Sequence, residues 1–268
     1  MAPGKYADVN GLKLYYEVHG AGQPLVLLHG SLGTVEMFAQ LTPALARSRQ
    51  VIGVELQGHG HTADLPRPFS FESMADDVSA LIGRLNLGRA DLLGYSLGGG
   101  IALQTAIRHP ESVRKLVVVS APHKSAGWYP EVLAGQRAMN AEAATAWIGS
   151  PMQEAYTKAA PDPEKWPSLV DKMGQLLRQD YDWSSAVPAI RAPSLIVVGD
   201  ADGISPARAV ELFGLLGGGL RDGGWDGSGM SNARLAILPG TTHATICDSP
   251  LLSAVVAPFL DGPMPAKA

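Results

Sequence analysis

The sequence contains a single cysteine, Cys247, among its 268 residues. One thiol excludes an internal disulfide framework and any zinc or iron–sulfur site that needs several cysteine ligands. We therefore expect Cys247 to be a buried packing thiol. We also predict that the protein has no metal site and needs no cofactor.

Strong charge of either sign is missing too, because 21 basic residues stand against 25 acidic ones. A net charge of −4 makes nucleic acid and anionic lipid poor partners. No apolar run approaches the ~20 residues of a membrane span, and residues 1–8 show no secretory signal. We expect a soluble cytoplasmic protein that binds a small molecule, and we leave a homodimer open.

Short runs rich in branched aliphatic residues alternate with amphipathic stretches along most of the chain. The predicted strands are 6–9, 12–18, 25–28, 51–56, 90–94, 113–120 (the longest strand signal), 195–199 and 235–238. The predicted helices are 72–87, 97–108, 206–216 and 251–260. This alternation predicts an α/β protein with a mostly parallel sheet and helices on both faces.

No strand-like run interrupts residues 122–186, which hold four of the five tryptophans. We predict that this segment is a helical cap inserted into a core made of 1–121 and 187–268. Its rings could simply pack the cap against the edge of the sheet. The sharper hypothesis is that Trp128, Trp147 and Tyr156 line an apolar pocket beneath it.

The pattern Gly-x-Ser-x-Gly occurs at 94–98, between a predicted strand and a predicted helix. The glycines permit a sharp, crowded turn that would hold the Ser96 hydroxyl clear of the sheet. Free N–H groups at a helix N-terminus also stabilise developing negative charge. The alternative is a glycine-rich helix start with Ser96 as its cap.

A serine nucleophile needs a base and a group that orients the base. The histidines after Ser96 are His109, His123 and His243. His243 is the best candidate, because it lies in a loop just beyond a predicted strand, where a parallel sheet gathers its catalytic loops. Asp200 and Asp202 both follow strand 195–199, and either completes the chain order Ser, Asp, His.

Four short motifs together resemble the α/β-hydrolase family, and the likeness runs from the first hairpin to the last helix. They are His29-Gly30, Gly94–Gly98, Gly199-x-x-Asp202 and Pro239-Gly240-x-x-His243. The resemblance implies an α/β-hydrolase fold of the serine esterase-like branch, with a helical cap.

The same resemblance implies a role for each site residue. Ser96 is expected to be the nucleophile, His243 the general base and Asp202 the acid, which leaves Asp200 as a turn residue that binds local backbone N–H groups. The oxyanion hole is expected from the backbone N–H groups of Ser31 and Leu97.

The sequence departs from the family's pattern at 55–61, where the usual Asp-x-Arg before the Gly-x-Gly turn is missing. Glu55, Gln57 and His61 therefore have no assigned role, while His29 is expected to brace its own turn. His59 and His61 resemble a metal pair but have no third ligand nearby. We predict that 55–61 forms a solvent-side turn.

A serine nucleophile disfavours the haloalkane dehalogenase and epoxide hydrolase branches, which resemble this fold but use aspartate. We predict a carboxylesterase-type hydrolase that cleaves esters, lactones or thioesters of small-to-medium apolar substrates through an acyl-enzyme on Ser96. Carbon–carbon bond hydrolysis, enol-lactone opening and perhydrolysis with the same triad remain alternatives, as does a slow-turnover ligand-binding protein. A dinucleotide-binding enzyme is excluded because the first strand–helix turns lack Gly-x-Gly-x-x-Gly.

Overall fold

The computed structural model describes residues 4–263. Residues 1–3, part of the segment considered for a secretory signal, lie outside the described residues. The strands are β1 (Lys5–Val9), β2 (Leu12–His19), β3 (Gln23–Leu28), β4 (Arg49–Val54), β5 (Ala90–Tyr95), β6 (Val113–Val119), β7 (Ser194–Ala201) and β8 (Ala233–Thr242). The α-helices are α1 (Leu41–Leu45), α2 (Phe71–Arg84), α3 (Leu97–Arg108), α4 (Pro130–Arg137), α5 (Pro151–Ala159), α6 (Trp166–Leu177), α7 (Pro206–Leu215) and α8 (Pro250–Asp261).

All eight strands form one sheet in the order β1-β2-β4-β3-β5-β6-β7-β8. The hairpin of β1 and β2 is antiparallel, and β2 pairs antiparallel with β4, whereas the remaining pairs are parallel. Asn10 and Gly11 both have positive φ, at 47° and 81°, as a tight hairpin turn requires. The prediction of a mostly parallel α/β sheet is confirmed.

The sheet separates two apolar cores, because neighbouring side chains of a strand point to opposite faces. In β3, Val26 and Leu28 face the core formed with α2, α3 and α7, whereas Leu25 and Leu27 face the core formed with α1 and α8. Cys247 is buried in the second core, in agreement with its predicted packing role. Between residues 4 and 263, no helix is both long and apolar enough to cross a membrane.

The two strands at the far edge of the sheet extend beyond their predicted ends. The longest strand is β8, with 10 residues rather than the predicted four-residue core at 235–238. It continues through Pro239, which an edge strand tolerates because one row of its N–H groups has no sheet partner. It therefore ends directly before His243. Likewise β7 extends to Ala201 and carries Asp200 within the strand.

Between β6 and β7, residues 122–186 (the cap segment) carry α4, α5 and α6, and their only β pairing consists of isolated bridges. The apolar face of α6 belongs to the same core as α2 and α3 and consists of Trp166, Leu169, Val170, Met173 and Leu176. Lys172 ties α6 to the loop before α2. Its ammonium donates to an Asp64 carboxylate oxygen at 2.6 Å and to the carbonyl oxygens of Leu65 and Arg67 at 2.7 and 2.9 Å.

Candidate active site

Ser96 lies at the turn between β5 and α3 in a backbone conformation that L-residues rarely adopt, with φ 54° and ψ −116°. Its N–H donates to the Val119 carbonyl oxygen at 2.9 Å, which fixes the turn against β6. Gly98 is required by close packing rather than by its φ, because a Cβ there would overlap the Leu28 carbonyl oxygen. The strained backbone of Ser96 is typical of functional turns that expose a nucleophile.

A continuous chain of hydrogen bonds joins the three predicted triad residues. The distance from Ser96 Oγ to His243 Nε2 is 3.0 Å, and that from His243 Nδ1 to Asp202 Oδ1 is 2.8 Å. A carboxylate at Nδ1 favours the tautomer with its proton there, which leaves Nε2 free to accept from the serine hydroxyl. The geometry is therefore that of a serine held by a base, with an acid behind the base.

Neither of the other two histidines after Ser96 bonds to it. His109, at the end of α3, contacts an Asp76 carboxylate oxygen at 2.6 Å. His123 is fully buried, with Nε2 3.6 Å from Glu211 Oε1. Both lie in contacts that do not involve the serine turn.

Asp202 is buried and receives hydrogen bonds on both carboxylate oxygens. Besides His243 at Oδ1, its Oδ2 accepts from the Ser120 hydroxyl at 2.5 Å and from the Gly199 N–H at 3.3 Å. Burial raises the pKa of Asp202, but the His243, Ser120 and Gly199 donors outweigh burial and hold it below its usual value. Asp202 is therefore held as the anion that can orient an imidazole.

Asp200 is exposed and its contact is different. Its Oδ1 accepts from the Thr241 N–H at 3.3 Å, a residue of the neighbouring strand β8. The expected role in a local turn is thus wrong, because the continuation of β7 to Ala201 carries Asp200 alongside β8. Only Asp202 contacts His243.

Two aromatic side chains hold the His243 loop in place. The Tyr95 hydroxyl donates to the His243 carbonyl oxygen at 2.6 Å, and the two rings are 5.1 Å apart. Trp128, from the cap segment, meets the imidazole edge-on at 5.3 Å. The base is therefore supported from both the sheet and the cap segment.

Ser31 and Leu97 both line the cavity beside Ser96, and within residues 4–263 neither backbone N–H donates a hydrogen bond. The loop that carries Ser31 is braced by His29, whose Nδ1 donates to the Gly30 carbonyl oxygen at 2.8 Å and whose Nε2 accepts from the Leu56 N–H at 3.1 Å. Burial, and then His59 nearby, lowers the pKa of His29 to about 3. A neutral imidazole can make both of these bonds at once.

Residues 55–60 of the loop are buried and His61 is partly exposed, so the expected solvent-side turn is wrong. Glu55 accepts hydrogen bonds from the His61 backbone and ring and from the Val35 N–H. A Cβ at position 60 would overlap this carboxylate, which explains Gly60. Gln57 in turn binds Asp64 and Arg67. Across residues 4–263, no three His, Cys, Asp or Glu side chains are grouped to hold a metal ion.

The cavity at Ser96 is small, with a volume of about 20 Å³. Besides Ser31, Ser96 and Leu97 it is lined by Phe71, Gly100, Ala121, Pro122, Trp128, Gln136, Leu177 and Tyr181. Of the three predicted pocket rings, only Trp128 lines it. Tyr156 packs 5.5 Å from the Trp166 ring, and Trp147 is partly buried against the main core.

Sequence reasoning missed several residues of this lining, most clearly Tyr181 and Gln136. Tyr181 stacks on Trp183 at 4.4 Å, so it belongs to an aromatic group that the concentration of rings in the cap segment does indicate. Gln136 could have been found as a polar residue on the inward face of α4, because it follows Val132 and Leu133 by four and three positions. Both of those residues pack against the core.

A larger cavity, of about 580 Å³, lies between β2, α1 and α5. Its lining includes Tyr15, Glu17 and His61 but not Ser96, Asp202 or His243. The larger of these two cavities therefore does not contain the hydrogen-bonded serine.

The sheet order and the serine at the β5–α3 turn define an α/β-hydrolase fold. The sequence profile of the family described as "alpha/beta hydrolase fold" matches residues 23–135. An enol-lactonase from Burkholderia xenovorans LB400 has the same fold, with a TM-score of 0.70 and 24% identity over 96% of this chain and 100% of that one. The chain therefore has the α/β-hydrolase fold, and its residues 23–135 match the sequence profile of that family.

Two curated relatives match in sequence over part of their length. The chain is 38% identical over 118 residues to 2-hydroxymuconate semialdehyde hydrolase from Pseudomonas sp. (strain CF600), which covers 41% of each chain. It is 41% identical over 116 residues to the pimeloyl-[acyl-carrier protein] methyl ester esterase of Neisseria meningitidis, covering 42% of this chain and 43% of that one. The matches thus span less than half of these relatives' own length.

Proposed function

We propose that the protein is a serine hydrolase that cleaves carboxylic esters, including lactones or thioesters, through an acyl-enzyme on Ser96. The observation that carries this proposal is the hydrogen-bonded chain from Ser96 through His243 to Asp202. The proposal is supported by Ser31 and Leu97, which line the cavity at Ser96 and whose backbone N–H groups donate no hydrogen bond within residues 4–263, because acyl transfer also needs donors for the oxyanion.

In the first half of the reaction, His243 Nε2 takes the hydroxyl proton as Ser96 Oγ attacks the substrate carbonyl carbon. The carbonyl oxygen becomes an oxyanion, which accepts hydrogen bonds from the Ser31 and Leu97 N–H groups. Asp202 stabilises the imidazolium that forms. Collapse of the intermediate breaks the acyl–oxygen bond, and His243 returns the proton to the leaving alcohol.

In the second half, water replaces the alcohol. His243 takes a proton from water as the oxygen attacks the acyl carbon, and the same two N–H groups hold the second oxyanion. Collapse releases the carboxylic acid and restores the proton to Ser96 Oγ. The apolar lining from Phe71, Trp128 and Leu177 suits an acyl group with little charge.

The test is hydrolysis of p-nitrophenyl esters from acetate to decanoate by wild type and by Ser96→Ala. We expect turnover to fall by about 10⁴- to 10⁶-fold in Ser96→Ala while the fold is retained. Ser79→Ala is the matched control, because it also removes a serine hydroxyl, one that bonds to the Ser112 hydroxyl and not to His243. Short acyl groups should react fastest, since the cavity is small.

A second readout uses a phosphorylating agent such as diethyl p-nitrophenyl phosphate, which should add its mass to Ser96 alone. Ester turnover that survives in Ser96→Ala, or labelling at another residue, would overturn the assignment of the nucleophile. Loss of labelling in His243→Ala with the fold retained would support the base.

Carbon–carbon bond hydrolysis by the same three residues is a second candidate, favoured by the likeness to 2-hydroxymuconate semialdehyde hydrolase. It is distinguished by incubation with 2-hydroxymuconate semialdehyde itself. Rapid loss of its absorbance, together with slow p-nitrophenyl ester turnover, would favour this candidate over the esterase.

A further inference from the structure

Gln136 is a polar side chain on the inward face of α4, at the edge of the cavity beside Ser96. Its neighbours on that face, Val132 and Leu133, pack against the core. An apolar residue would satisfy the packing at this position equally well. The carboxamide therefore needs an explanation other than burial of the helix.

The carboxamide oxygen of Gln136 is buried and has no hydrogen-bond partner among residues 4–263. An acceptor in this state loses its hydrogen bonds to bulk water and gains none from the protein, which is unfavourable. Such atoms are rare in folded proteins and need a specific partner. Because the oxygen only accepts hydrogen bonds, that partner must be a donor.

The cavity has room for a small partner. Its volume of about 20 Å³ corresponds to roughly one water molecule. Apart from Gln136, Ser31 and Ser96, the residues that line it are apolar or aromatic, among them Leu177, Trp128 and Phe71. A hydroxyl or N–H group of a substrate held at Ser96 could replace such a water and bond to Gln136.

We infer that Gln136 is a specificity-determining residue for substrates whose acyl part carries a hydrogen-bond donor, a hydroxyl or an amide N–H. The inference rests on the proposed serine hydrolase function and narrows its substrate class from plain apolar esters to hydroxyacyl or acylamino esters. A site that binds a donor discriminates strongly against an analogue that lacks it, because the acceptor is then left unpaired.

The experiment compares two esters of the same shape, p-nitrophenyl 3-hydroxybutyrate and p-nitrophenyl 3-methylbutyrate, in which a methyl group replaces the hydroxyl. In wild type we expect kcat/KM to favour the hydroxy ester by about 10-fold or more. Gln136→Met keeps the length of the side chain without the acceptor, so the ratio should fall to about 1. Gln175→Met is the matched control, because the Gln175 amide bonds to Asp171 on the same exposed helix face.

A ratio near 1 in wild type, or one that Gln136→Met leaves unchanged, would overturn the inference while leaving the serine mechanism intact. Thermal stability gives an independent readout. Because Gln136→Met removes an unpaired buried acceptor, its thermal unfolding midpoint should be higher than that of wild type. A purely structural role for the carboxamide predicts a lower midpoint.

If no ester is hydrolysed, the proposed function fails, and binding still decides the inference. Titration of Ser96→Ala with methyl 3-hydroxybutyrate and methyl 3-methylbutyrate, followed by NMR, should then show the same preference for the hydroxyl. Its absence there would overturn the role of Gln136 as well.

Discussion

The hydroxyl of Tyr95 donates a 2.6 Å hydrogen bond to the backbone carbonyl oxygen of His243, across 148 positions of the chain. Tyr95 directly precedes the Ser96 turn, so one residue links the loop of the proposed nucleophile to that of the proposed base. This bond is one of the contacts that hold the two loops in position.

Tyr95→Phe should therefore lower kcat by about 10-fold with little change in KM, because it loosens the His243 loop without removing a substrate contact. Steady-state kinetics with p-nitrophenyl acetate would measure this. Tyr156→Phe is the control, since its hydroxyl bonds to Asp162 within the cap segment. An effect confined to KM would mean that Tyr95 acts on substrate binding instead.

Asp202→Asn should reduce kcat/KM by about 10⁴-fold, because an amide at that position favours the wrong tautomer of His243. Asp200→Asn should stay within about threefold of wild type, as expected for an exposed side chain with one backbone contact. Asparagine is nearly isosteric with aspartate, so circular dichroism should show that both variants are folded. Equal losses in the two variants would contradict the assignment of the acid.

Stability should fall in mild acid because two buried histidines stay neutral in the folded protein. Burial is the largest cause that lowers the pKa of His29 to about 3 and that of His59 to about 4. An unfolded histidine has a pKa of about 6.5. As the pH falls from about 6.5 to about 4, the unfolded chain therefore takes up protons that the folded protein does not, which lowers the free energy of unfolding.

Urea unfolding between about pH 7 and about pH 4.5 would measure this dependence. In His59→Asn the slope should decrease by up to about 1.4 kcal/mol per pH unit, the contribution of one histidine. A slope that is the same in wild type and His59→Asn would show that His59 gains its proton in the folded state.

Lys172→Met should detach α6 from the loop at 64–67, because the ammonium donates to Asp64 and to two carbonyl oxygens there. We expect faster amide hydrogen exchange in that loop and a thermal midpoint lower by about 2–4 °C. Lys165→Met removes only an exposed pair with Asp162 and should change the midpoint by about 1 °C or less. Equal changes of the midpoint in the two variants would mean that the Lys172 contacts stabilise the fold no more than an exposed ion pair does.

The order of the elements could be predicted, as could three residues that lie in one chain of hydrogen bonds, because each leaves a local pattern. Branched aliphatic runs mark the strands, and Gly-x-Ser-x-Gly marks the turn at Ser96. The choice between Asp202 and Asp200 followed from the family's spacing. The structure shows a physical difference between them: the register shifts between Gly199 and Ala201, and Asp200 stays with β8 while Asp202 meets His243.

The remaining contacts depend on tertiary packing, which no short pattern encodes. Ser120 reaches Asp202 only because β6 lies beside β7 in the sheet. The loop at 55–61 looks polar enough for solvent, yet Glu55 is buried because its oxygens bind groups from two separate loops. The sequence of the cap segment does not indicate which of its aromatic rings reach the cavity. Only the placement of its helices brings Trp128 to the cavity and leaves Trp147 outside it.

The small cavity beside Ser96 has a thermodynamic consequence. The space that a water-sized molecule can reach there is only about 20 Å³, so we expect ester binding to draw on a more open arrangement of the side chains that line the cavity. The apparent dissociation constant then equals the intrinsic constant divided by the fraction of open molecules. Substitutions that weaken the attachment of the cap segment can thus tighten the apparent binding of large esters while they lower the stability of the fold.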